Sequence, residues 1–101
     1  MKKMINIDGN TLTVNVEKPL TAVESADLEG KLRVSANDPA IKTVYIDLNN
    51  VEYISSAGLR VFLSMHRYMG EREGKLILKN VNDEVMGTLK LTGFDKVLNI
   101  E

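Results

Sequence analysis

TVYIDLNNVEYISSAGLRVFLSMHRYM, residues 43–69, changes its hydrophobic period once, and that change decides the fold. Over Thr43–Leu48 the apolar residues Val44, Ile46 and Leu48 fall on alternate positions, the period of a strand. Past the polar pair Asn49-Asn50, Leu59, Phe62, Leu63, His66 and Met69 recur at helical spacing. The helix is expected to begin at Ser55 or Ser56 and to end at Gly70. A strand feeding directly into a helix is the repeating unit of an α/β sheet protein.

The flanking sequence extends that unit in both directions. Upstream, Ile5 and Ile7 precede Asp8-Gly9-Asn10, and Leu12, Val14 and Val16 follow in alternation, which predicts a hairpin on an Asp-Gly turn. Thr21-Ala22-Val23-Glu24 has the spacing of a capping box, in which the Thr21 hydroxyl serves the Glu24 amide and the Glu24 carboxylate returns to the Thr21 amide. Leu28 and Leu32 continue that helix and Pro39 closes it. Downstream, Gly74 opens the strand Lys75–Lys79, apolar on both sides and so expected inside the sheet. Asn82 is placed to cap a third helix carrying Val85, Met86 and Leu89 and stopped at Gly93. Val97–Ile100 reads as a last short strand. The order is β-β-α-β-α-β-α-β.

The chain has 101 residues, one domain's worth, and residues 1–101 are read as a single domain. A domain of this size buries roughly two thirds of its unfolded surface, so it folds without staples. Thirteen basic residues stand against 14 acidic ones, and apart from Lys2-Lys3 the signs are mixed along the chain, which argues against a nucleic-acid partner. There is no cysteine, which removes a disulfide framework, a thiol nucleophile and a Cys-based zinc site. No apolar run approaches the ~20 residues needed to span a bilayer, and Met1–Asp8 does not read as a signal peptide. These features predict a cytoplasmic protein without direct membrane insertion.

Candidate chemistry is confined to Ser55-Ser56-Ala57-Gly58 at the start of the central helix. Serine is a preferred N-cap, so one of the two hydroxyls can simply serve the first turn. The same helix end presents free amides and a partial positive charge, so it can also hold an anion. A phosphate on Ser56 would add roughly −1.5 to −2 charges there. Ala57 and Gly58 either leave the backbone open to a partner or allow close packing of helix on sheet. A serine nucleophile is not expected. There is no Gly-x-Ser-x-Gly elbow, and the one histidine, His66, lies ten residues along the same helix, about 15 Å away. One histidine and no cysteine leave no metal set beyond scattered carboxylates. Met65 and Met69 are expected in the core, with an adaptable contact surface as the other reading. Phe94 is expected to close the end of the third helix against the core.

Asp47–Leu59, Asp-Leu-Asn-Asn-Val-Glu-Tyr-Ile-Ser-Ser-Ala-Gly-Leu, resembles the signature of STAS domains, the anti-sigma factor antagonists of bacteria. Leu91–Val97 resembles the segment that joins the family's last long helix to its final strand. The resemblance implies a four- or five-stranded mixed sheet with helices packed mainly on one side. It implies a non-enzymatic partner switch: the unmodified antagonist sequesters an anti-sigma factor that is itself a serine kinase, and so frees a sigma factor. The kinase then phosphorylates the antagonist and a serine phosphatase resets it. By position the modified serine is Ser56, with Ser55 the second choice, and the partner surface is Ser55, Ser56, Ala57, Gly58 and Arg60. The nucleotide belongs to the kinase, so no cofactor is expected on this chain. The family often has Asp where Ser55 stands, and Ser or Thr where Ala57 stands. STAS domains also serve as constitutive subunits of transport or stress-signalling complexes, which is the alternative reading.

Overall fold

The protein folds as a five-stranded mixed sheet carrying its helices on one face, with the element order expected from the sequence. The computed structural model describes residues 5–101; Met1–Met4, part of the N-terminal stretch read above, lie outside the described residues. In chain order the elements are β1 (Ile5–Asp8), β2 (Thr11–Asn15), α1 (Ala22–Ala36), β3 (Thr43–Asp47), α2 (Ser56–Glu71), β4 (Lys75–Lys79), α3 (Asp83–Thr92) and β5 (Asn99–Ile100). A single 3-10 turn, Phe94–Lys96, precedes β5.

The strands lie in sequence order across the sheet. β1 pairs antiparallel with β2, and β2 to β5 run parallel. The hairpin turns through Gly9 and Asn10, and Gly9 takes a φ of 62° that a β-carbon would disfavour. The parallel strands are in register as Leu12–Val44–Leu76 and Val14–Ile46–Leu78, and all six side chains are buried under the helices. The alternate residues, Thr13, Tyr45 and Ile77, form a half-covered row on the opposite face. Ile77 therefore gives β4 its apolar look on both sides without a second layer of helices.

Three local features differ from the sequence expectation. On α2 Val61, absent from the expected stripe, is buried together with Leu59, Phe62 and Met69, whereas Leu63 is only half-buried. The helix packs against α1 as well as the sheet, so its apolar stripe is wider than one face. Gly70 does not stop α2. The helix runs to Glu71, and the left-handed residue that turns the chain is Glu73, at φ 60°. The final strand is shorter than Val97–Ile100, because the 3-10 turn consumes the residues after Gly93 and leaves only Asn99 and Ile100 to pair with β4. Gly93 does end α3, in the left-handed conformation, and Phe94 packs against the core. Met65 and Met69 are buried in that core.

Candidate functional site

Because β2, β3 and β4 are parallel, the loops leaving their C-terminal ends, and the N-termini of α1, α2 and α3, all lie along one edge of the molecule. Each helix start is capped by a side chain. The Thr21 Oγ1 accepts from the Glu24 amide at 3.4 Å, Ser55 Oγ from the Gly58 amide at 3.2 Å, and Asn82 Oδ1 from the Val85 amide at 2.9 Å. Only half of the expected capping box forms on α1. The Thr21 amide donates to the Pro19 carbonyl, and the Glu24 carboxylate faces Lys18 at 3.8 Å instead.

Two of these loops are tied together. Leu20 and Ile54 form a parallel bridge, in which the Leu20 amide donates to the Tyr53 carbonyl and the Ser55 amide to the Leu20 carbonyl, both at 2.9 Å. α1 and α2 therefore start side by side. The other flank is held by Asp47, whose Oδ1 accepts from the Asn49 amide and from Asn80 Nδ2, each at 3.0 Å. Asn82 Nδ2 in turn donates to the Val51 carbonyl at 2.7 Å. The β3–α2 loop is thus pinned on both sides and presents its serines from a fixed frame.

Within that frame the two serines separate. Ser55 is the cap: it has extended backbone at φ −79° and ψ 170°, and its hydroxyl is engaged by the Gly58 amide. Ser56 is the first helical residue, is exposed, and makes no hydrogen bond through its hydroxyl among the described residues. Ala57 is half-buried and Arg60 is exposed. Gly58 is buried, and its small size serves packing. A β-carbon there would lie 2.9 Å from Ile54 Cγ2, 3.1 Å from Leu20 Cβ and 3.3 Å from Ser25 Oγ.

Two neighbours were not singled out from the sequence. Val23 in the first turn of α1 is 78% exposed and Tyr53 in the β3–α2 loop is 56% exposed. Tyr53 adjoins Ile54 in the Leu20–Ile54 bridge, and Val23 lies three residues past Leu20 on the other side of it. The sequence signal for them is weak, since neither departs from its local pattern and the Leu20–Ile54 bridge that makes them neighbours is not local. The first turns of α1 and α3 carry Glu24 and Asp83-Glu84, but the first turn of α2 has no acidic residue. The partial positive charge at the α2 start is therefore uncompensated from its own turn. Among the described residues, no three His, Cys, Asp or Glu side chains cluster as metal ligands would.

A mixed sheet with three capped helix starts on one edge and an exposed serine on the central one define a small α/β domain that presents a hydroxyl from a fixed edge. The chain belongs to the STAS domain family, whose model matches residues 2–101. It is 31% identical over 91 residues to BtrV of Bordetella bronchiseptica, a protein assigned as an anti-sigma factor antagonist; the match covers 90% of this chain and 77% of that protein. It is 27% identical over 100 residues to the anti-sigma-B factor antagonist of Bacillus subtilis, covering 95% of this chain and 90% of the relative. A crystal structure from Thermotoga maritima, also assigned as an anti-sigma factor antagonist, superposes with a TM-score of 0.87 at 20% identity, over 95% of this chain and 82% of that one.

Proposed function

We propose that this chain is an anti-sigma factor antagonist whose binding is switched by phosphorylation of Ser56. The observation that carries the site assignment is the division of labour between the two serines: Ser55 is held as the cap, while Ser56 is exposed with an unengaged hydroxyl. A kinase can take the Ser56 hydroxyl without undoing the helix. The relatives named as anti-sigma factor antagonists support the partner class.

In this reading the unmodified edge, Val23, Tyr53, Ser55, Ser56, Ala57 and Arg60, packs against an anti-sigma factor that is also a serine kinase. The kinase binds the nucleotide, so this chain contributes a surface and an acceptor hydroxyl rather than catalysis. A phosphate at the centre of a partly apolar patch weakens the complex by charge and by desolvation. A serine phosphatase then restores it. No described helix is long and apolar enough to cross a membrane, and we place the exchange in the cytoplasm.

The test is intact mass spectrometry of protein from its native cells, with peptide mapping across Ser55 and Ser56. A phosphate on Ser56, lost in Ser56→Ala and kept in Ser55→Ala, is expected. Ser55→Ala should cost about 0.5–2 kcal/mol of stability through the lost cap, and Ser56→Ala much less. Phosphate on Ser55 would move the site. No phosphate under any growth condition would favour a constitutive subunit of a larger complex.

A further inference from the structure

Ser56 is the first residue of α2 and Arg60 stands four residues on, with both exposed. Residues at this spacing lie on one face of a helix with Cβ atoms about 5–6 Å apart. Long helical side chains can lean towards the N-terminus, so a guanidinium at position 60 is within reach of the turn that holds Ser56. An anion preceding a cation by four residues is also the more favourable of the two orders.

The other arginines are occupied or remote. Arg33 Nη2 donates to Ser64 Oγ at 2.6 Å and lies 3.6 Å from Glu29. Arg72 is spent on backbone carbonyls and on Tyr68. Arg67 sits about two turns further along α2 than Arg60. Arg60 has no ion pair or hydrogen bond among the described residues. The carboxylates around it do not claim it. Glu29, across the groove that Arg60 lines, faces Arg33; Glu24 faces Lys18; Glu52 is exposed in the preceding loop.

We propose that Arg60 is the intramolecular counter-ion of a phosphate on Ser56. The proposal rests on Ser56 being the modified residue and adds how the modification is read. In the unmodified protein Arg60 is free to meet a carboxylate on the partner. Once Ser56 carries phosphate, the guanidinium turns to it through charge-assisted, two-point hydrogen bonds. The partner then loses a cation as well as meeting an anion.

The test uses full-length protein with phosphoserine installed at position 56 by genetic encoding, so no kinase is needed. The second ionisation of the phosphate is followed by phosphorus NMR against pH. It is expected about half a unit lower in the parent than in Arg60→Gln, roughly a threefold change in the dianion-to-monoanion ratio. Arg67→Gln should titrate like the parent, and 1 M salt should close most of the gap. Identical titrations for the parent and Arg60→Gln would overturn the proposal. A merely structural role of Arg60 would change stability and leave the phosphorus titration where it was. If no kinase modifies Ser56 in cells, the functional reading fails while this titration still reports on the pair.

Discussion

Gly58 and Gly30 are both helical glycines, yet their surroundings give them opposite consequences. A β-carbon at Gly30 meets nothing within 4 Å, whereas at Gly58 it meets Ile54 at 2.9 Å and Leu20 at 3.1 Å. Those two neighbours are the bridge that sets the helix starts side by side, so they cannot both retreat. Ser25, 1% exposed with no partner for its hydroxyl among the described residues, closes the same contact from α1. Gly30→Ala is expected to stabilise the protein by about 0.5–1 kcal/mol through helix propensity and a less free unfolded chain. Gly58→Ala gains the same propensity but overpacks, and a net loss of about 1–2 kcal/mol is expected. Urea unfolding of the two variants checks both signs. A Gly58→Ala protein as stable as the parent would mean that the helix starts have slack, and that the exposed position of Ser56 does not depend on this contact.

α1 has no left-handed residue at its end; Asn37 follows it at φ −68°. The carbonyl of its last residue, and those just past the helix end, are served from another element. The Arg72 guanidinium, just past the end of α2, donates to the carbonyls of Ala36 and, at 2.9 Å, Asp38. It also donates to the Tyr68 hydroxyl at 2.7 Å, and the Tyr68 ring lies between Arg33 and Arg72 at 5.2 and 5.1 Å. Arg72→Met keeps much of the apolar stem and removes the fork. A loss of about 1–3 kcal/mol is expected, with faster hydrogen exchange in the last turn of α1, and lysine should recover little because it lacks the planar fork. Unchanged exchange there would show that water serves those carbonyls equally well. This contact was illegible in the sequence, because it joins residues 36 apart. What was legible obeyed a local rule: the alternation of Val44, Ile46 and Leu48, the caps at Thr21 and Asn82, and the glycine stop at Gly93. The misread features answered to packing. Val61 is buried because α2 touches α1 as well as the sheet, and the Glu24 carboxylate faces Lys18 rather than its own helix start.

At the scale of the whole molecule, one edge carries the proposed function, and Leu20 and Ile54 anchor that edge in the core. The sequence motif located Ser55 and Ser56 but left the cap unassigned, since both positions suit a helix start and only the ladder with Leu20 decides which is extended. That assignment determines what phosphorylation does to the fold. The Ser56 side chain is exposed and holds nothing, so a phosphate removes no packing contact and no hydrogen bond, and it joins a helix end with no acid in its first turn. Protein carrying phosphoserine at 56 should therefore lose no more than about 0.5 kcal/mol of stability in urea relative to the unmodified chain. Its amide resonances should shift mainly at Leu20–Glu24 and Glu52–Arg60, the segments joined by the bridge. The far end of α3, where Leu91 and Val97 are exposed, should stay in place. Those outcomes, combined with lost partner binding, would define a switch that works through surface charge on a constant scaffold. Shifts spreading into β4 and α3, or a loss above about 1 kcal/mol, would instead mean that the phosphate loosens the fold. The partner would then be released because its docking edge comes apart.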